Sequence, residues 1–157
     1  LMSYATDGAA IMEALSAQSF AGTIIGADGI ADAAFIDAFT DAAAVDGLVA
    51  TRPRPGETSS VQTNFENAYA AAGGAEGAIY TGETYDAINI AAAAIMDGGD
   101  LVAAIKKTGV NYTGASGVHT FDAAGDVLGS GYEVCQFDGT DFSCPSIWTA
   151  DGGLATK

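Results

Sequence analysis

The sequence predicts an α/β fold: a parallel sheet with flanking helices, followed by C-terminal antiparallel hairpins. Three observations carry this. Short β-branched runs, "TIIG" and "GLVAT", alternate with helical patterns at the start. Helical patterns then dominate to about residue 108. After that come only strand runs and turn signals, "GVHTF", "DAAGD", "GYEVCQF" and "FSCPSIW", the pattern of an antiparallel appendix. At 157 residues the chain can bury a real core.

In order, "LMSYA" reads as the end of a strand. Thr6 and Asp7 are candidate N-caps for a helix reaching about Ser19, with Ile11, Met12 and Leu15 inward. "GTIIG" is a strand. "IADAAFIDAFTDAAA" is a helix with Phe35, Ile36, Phe39 and Ala43 on one face. "GLVATRP" is a further strand, stopped by Pro53, Pro55 and Gly56, and a linker or crossover falls near residue 53. Ser59 or Ser60 caps a helix carrying Val61, Phe65 and Tyr69, and Gly73-Gly74 ends it. "GAIYTGE" is a loop or short extended piece. "TYDAINIAAAAIMDGG" is an Ala-rich helix with Tyr85, Ile88, Ala92 and Ile95 inward. "DLVAAIKKTG" is a short helix with Asp100 at its start and Lys106-Lys107 at its end, charges that suit the helix dipole.

Charge excludes some functions. Twenty acids face five bases, a net of −15. Such a surface repels phosphate backbones and anionic lipid, and no Lys/Arg stripe offsets it. No run of about 18 apolar residues predicts a membrane span, and no signal-peptide pattern opens the sequence.

The two cysteines lie in "CQFDGTDFSC". If Asp138–Asp141 is a four-residue hairpin loop, Phe137 faces Phe142 and Cys135 faces Cys144, both pairs on one side of the sheet. A cross-strand disulfide is the leading reading, worth roughly 2–3 kcal/mol through chain entropy. Two reduced packing thiols are the alternative. Metal ligation ranks last, because no third or fourth ligand is close in sequence. A disulfide points to an oxidising compartment.

Chemical motifs are sparse. G-x-S-x-G, Walker and G-x-G-x-x-G patterns are all missing. A Ser-His-Asp arrangement could be formed only through His119, the single histidine, where an ordinary satisfied side chain is the better reading. Asp122 and Asp126 suit turn chemistry. "NYT" at Asn111 fits a glycosylation acceptor, a motif too common by chance to carry weight. The informative stretch is Gly26-Ala27-Asp28-Gly29. Loops at the carboxyl ends of parallel strands are where open α/β sheets bind ligands. A helix start there would suit an anion, which Asp28 would repel. By itself the loop favours a cap or turn role for Asp28 over ligand contact.

Four stretches in order, "TIIGADG", "FENAYAAAGG", "TYDAINIAAAAI" and "SGVHTFDAAGDVLGSGYEV", resemble the type I periplasmic solute-binding proteins of ABC transporters, most closely the branched-chain amino acid-binding group. The resemblance spans nearly the whole chain. It implies a periplasmic-binding-protein-like fold of two lobes closing on a small molecule. It also implies that this sequence is the C-terminal half of such a protein, an incomplete two-lobed molecule. Residues 1–52 would then belong to the C-terminal lobe, 53–130 would return to the N-terminal lobe, and 131–157 would supply closing hairpin strands.

By resemblance, the ligand-binding residues are Tyr4, Asp28 and Tyr80. The acid that holds a ligand's ammonium group falls on Asp28, one methylene shorter than the Glu of some members. Tyr4 is the aromatic facing the cleft, and Tyr80 lines the pocket from the other lobe. With the family in view, ligand contact becomes the preferred reading of Asp28. The implied function is an extracytoplasmic solute-binding component, periplasmic or extracellular, that delivers an amino acid or small amide to an ABC permease. No catalysis, cofactor, metal or nucleic acid is implied. The same fold as a ligand sensor in a signalling system is the alternative, and a hydrolase with paired acids ranks last. Exposed sheet edges of a half-chain predict a homodimer.

Overall fold

Leu1 begins the sheet. Its backbone nitrogen donates to the Ile25 carbonyl at 2.6 Å, and its carbonyl accepts the Ala27 N–H at 3.0 Å. Those two bonds make one parallel rung. Only Leu1 of the expected strand pairs, because a helix begins at Ala5. The structure is a computed structural model and describes residues 1–40, 45–54, 56, 58–75, 78–127 and 131–157. It divides into two units, Leu1–Arg54 with Gly131–Lys157, and Pro55–Ser130.

The first unit holds α1 (Ala5–Ala17), β1 (Ile25–Gly26), a 3-10 turn (Asp28–Ile30), α2 (Ala33–Asp37), β2 (Val49–Pro53), β5 (Tyr132–Phe137), β6 (Phe142–Thr149) and β7 (Gly153–Thr156). Its sheet runs β1-β2-β5-β6-β7. β1 and β2 are parallel, and the later pairs are antiparallel. The predicted fold class therefore holds, with β7 an addition that a four-residue strand of Gly, Leu, Ala and Thr does not advertise. The core is one cluster: Ala9 and Met12 from α1, Ile30, Phe35, Leu48, Ala50 and Phe137 among its members.

Two expectations change here. Thr6 and Asp7 do not cap α1. Tyr4 holds the N-cap position, and Asp7 sits in the first turn, where its charge suits the dipole. The helix expected from Ile30 is broken in two. Ile30 tucks against Gly26, where a Cβ would come 2.2 Å from Ile30 Cδ1. Asp32 then has an extended backbone, and its carboxylate accepts the Phe35 N–H at 3.1 Å, restarting the chain as α2. Phe35 is buried as expected, and Ile36 and Phe39 pack against the core. Ala43 and Pro55 lie outside the described residues.

The hairpin forms with Phe137 opposite Phe142, and Asp138 Oδ1 accepts from Thr140 and Asp141 to close the loop. Cys135 and Cys144 are disulfide-bonded. Beyond Gln136 and Ser143 the pairing shifts, so that Cys144 and Pro145 of β6 together face Cys135 of β5. Pro145 is the extra residue. It has no N–H to donate, so a bulge is where a strand tolerates it. Further along the ladder, Pro53, Tyr132, Trp148 and Leu154 are successive register partners across four strands.

The second unit holds α3 (Ser60–Ala71), α4 (Thr81–Asp97), α5 (Leu101–Thr108) and a hairpin of β3 (Tyr112–Thr113) with β4 (Val118–His119). Ser59 caps α3 and Asp100 caps α5, each side chain accepting a backbone N–H three residues on. Phe65 stacks on Tyr69 and meets Tyr85 of α4. The expected inward face of α4 is corrected. Asp86, Ile90 and Ala94 are buried, whereas Ile88 and Ile95 are 64% and 65% exposed. An Ala-rich helix offers two apolar stripes, and periodicity alone cannot rank them. The face is chosen by Asp86, whose carboxylate finds three donors on the loop before β4.

Candidate functional site

In the first unit, Asp28 follows β1 at the carboxyl end of the parallel pair, half-buried. The glycines on either side explain the spacing of the motif. Gly26 leaves room for Ile30. Gly29 lets the start of α1 close in, since a Cβ there would lie 2.5 Å from the Ser3 carbonyl oxygen and 3.2 Å from the Tyr4 ring. The Asp28 loop and Tyr4 are thus adjacent. Tyr4 is 82% exposed. The N-cap of the 3-10 turn is Ala27 and that of α2 is Asp32, so neither helical segment uses Asp28 as its cap residue.

Tyr80, in the second unit, is 38% exposed and occupies the N-cap position of α4 with a left-handed backbone, φ 63° and ψ 9°. Bulky residues rarely adopt that conformation. Its carbonyl accepts the Thr84 N–H at 2.9 Å.

The sequence reading missed Asp86, which is 1% exposed. The signal was present: an acid at i, i+4 and i+8 spacing with Ile90 and Ala94. Its Oδ1 accepts the Ala115 N–H at 2.7 Å, and Oδ2 accepts the Ser116 N–H at 2.8 Å and hydroxyl at 2.7 Å. His119 Nε2 lies 2.8 Å from Ser116 Oγ and 3.2 Å from Asp86 Oδ2. Burial is the largest influence on Asp86 and pushes its pKa up. The bonds from Ser116, Ala115 and His119 together outweigh it and hold the group below its ordinary value. Tyr112, paired with His119 across the hairpin, is raised by burial first and then by Asp86 and Tyr85.

So Ser, His and Asp do meet, but not as a nucleophilic triad. The Ser116 hydroxyl gives its one hydrogen to Asp86, leaving its oxygen to accept. His119 Nε2 must then be the donor, and a protonated nitrogen cannot act as base toward that serine. In a working triad the carboxylate holds the other ring nitrogen. The cluster is a structural clamp, in keeping with the satisfied-histidine reading.

The remaining acids follow the same logic. Asp122 Oδ1 accepts from Gly125 and Asp126 N–H, forming the expected turn. Glu133 is buried and ion-paired with Arg52 at 2.8 Å and with Lys157. Its carboxylate neighbours Cys135 and Cys144, but the disulfide leaves no thiolate to bind a metal. A cavity of about 250 Å³ opens before β1 and β2, lined in part by Met12, Phe20, Ile24, Val45 and Leu48. It shares no residue with the Asp28 loop. No helix among the described residues is long and apolar enough to cross a membrane.

The sheet, with parallel β1 and β2 and a C-terminal antiparallel meander, matches the type I periplasmic-binding-protein fold. Solved structures that share it include proteins named as substrate-binding proteins of transporters. A leucine-binding protein LivK from Thermotoga maritima is 25% identical over 96% of this chain, with a TM-score of 0.77. The branched-chain amino acid transporter substrate-binding protein LivJ from Streptococcus pneumoniae, in complex with isoleucine, is 16% identical over 99% of the chain at a TM-score of 0.73. A putative branched-chain amino acid ABC transporter protein from Rhodospirillum rubrum is 24% identical over 90% at 0.60. The chain spans 44%, 43% and 42% of these proteins, respectively. No family model and no curated protein matches the chain. The comparisons bring no support for the expected homodimer.

Proposed function

We propose that this chain is part of an extracytoplasmic solute-binding protein of an ABC transporter that takes up an amino acid or related small amide and presents it to a membrane permease. The first unit belongs to the C-terminal lobe, and Pro55–Ser130 belongs to the N-terminal one. Asp28 receives the solute's ammonium group, Tyr4 packs beside it, and Tyr80 contributes a further contact in the whole protein. The observation that supports this reading is the Asp28 loop itself. It stands at the carboxyl end of a parallel pair, next to an exposed tyrosine. A carboxylate and an ammonium about 4 Å apart attract by about 4 kcal/mol at an effective dielectric near 20, less the cost of desolvating both. The solute shifts an open-to-closed equilibrium by binding the closed state better. Localisation is periplasmic or extracellular, in keeping with the disulfide.

Calorimetric titration of the full-length parent with an amino-acid panel tests this. Asp28→Asn should weaken binding about tenfold or more, a loss of about 1.4 kcal/mol. Unchanged affinity removes Asp28 from the site.

A further inference from the structure

The left-handed backbone of Tyr80 needs a cause. Such conformations persist in bulky residues only where the surroundings over-determine them. The neighbouring turn of α4 shows what does so. A Cβ built on Gly82 would lie 3.2 Å from Ser116 Cβ and 3.4 Å from Ser116 Cα and N, so the loop before β4 rests on this turn. Ser116 is gripped from both sides. Asp86, one turn further along α4, accepts its N–H and its hydroxyl. Gly56 N–H donates to its carbonyl at 3.2 Å. We infer that Asp86 is a positioning residue: by pinning Ser116 against Gly82 it locks the first turn of α4 and, through it, the left-handed backbone that presents Tyr80. His119 completes the lock by donating to both Ser116 and Asp86. Gly114 is part of the same device, because a Cβ there would meet the Asp86 carboxylate at 2.2–2.4 Å. The functional meaning of the lock rests on the reading of Tyr80 as a solute contact. The geometry does not.

The test is hydrogen exchange and backbone chemical shift by NMR on this chain with no solute added. In Asp86→Asn, exchange at Thr84 N–H, whose partner is the Tyr80 carbonyl, should rise at least about tenfold relative to Ala94 N–H in the same helix. The Tyr80 Cα shift should leave its left-handed value. Gly114→Ala displaces the carboxylate without altering α4 and should do the same. Tyr80→Gly in the Asp86→Asn background should restore protection at Thr84, since glycine takes positive φ freely. Equal loss at Thr84 and Ala94, or an unmoved Tyr80 shift, overturns the inference and leaves Asp86 a general stabiliser. Where Asp86→Asn does not fold, Ser116→Ala keeps both backbone bonds and gives the smaller effect in the same direction. Failure here leaves the solute-binding reading standing, and failure of the Asp28→Asn titration leaves the lock standing.

Discussion

Glu133 shows how a single buried acid ties protonation to stability. Burial is the strongest influence on it and works to raise its pKa. Lys157 and Arg52 together outweigh burial and hold it below its ordinary value of 4.5. A depressed folded value means the stabilisation is fully present above the unfolded pKa and is lost as pH falls through the folded one. Asp86 is lowered too and adds to the same slope. Thermal melts should therefore be flat above about pH 5 and fall steeply below it. Glu133→Gln should melt lower at neutral pH yet lose less on acidification; a parallel acid limb would show that folding leaves the Glu133 pKa unshifted. At this scale the sequence was only partly legible. Asp28 stood out because two glycines framed it. Asp86 did not, because its partners Ala115 and Ser116 lie 29 and 30 residues away.

Among elements, the β5–β6 hairpin was the most readable. Its loop chemistry is local, so Asp138, Gly139 and the paired phenylalanines could be placed from ten residues of sequence. The bulge at Pro145 lies just past those ten residues, where local loop chemistry no longer sets the pairing. The disulfide closes this short loop, nine residues in sequence separation. Replacing both cysteines by serine should cost roughly 2–3 kcal/mol in denaturant unfolding. Wild type in reducing agent should approach the same midpoint, and a midpoint unmoved by either change would mean that β5 and β6 are held by their ladder and core contacts alone. α4 was the least readable element. Its rank of apolar positions gave a helix correctly and a wrong inner face, since burial was decided by hydrogen bonds to a distant loop rather than by the count of isoleucines.

For the whole molecule, net charge is the property that composition reveals without a fold. At −15, self-repulsion opposes compaction. Raising salt to about 0.5 M shortens the screening length to a few ångströms and should raise the melting temperature, whereas a decrease would show that the ion pairs of Glu133 outweigh the surface repulsion. The alternation of strands and helices gave the fold class, because that pattern is set by chain-local periodicity. Whether two units bind a solute together depends on residues far apart in sequence, and no local rule encodes that. One cross-strand rung has a practical consequence. Trp148 is the chain's single tryptophan, and its ring lies 6.2 Å from that of Tyr132 on β5. Its emission colour and intensity are therefore a built-in gauge of whether the C-terminal meander is zipped, and solute arriving at Asp28 would be seen in it only if that meander responds.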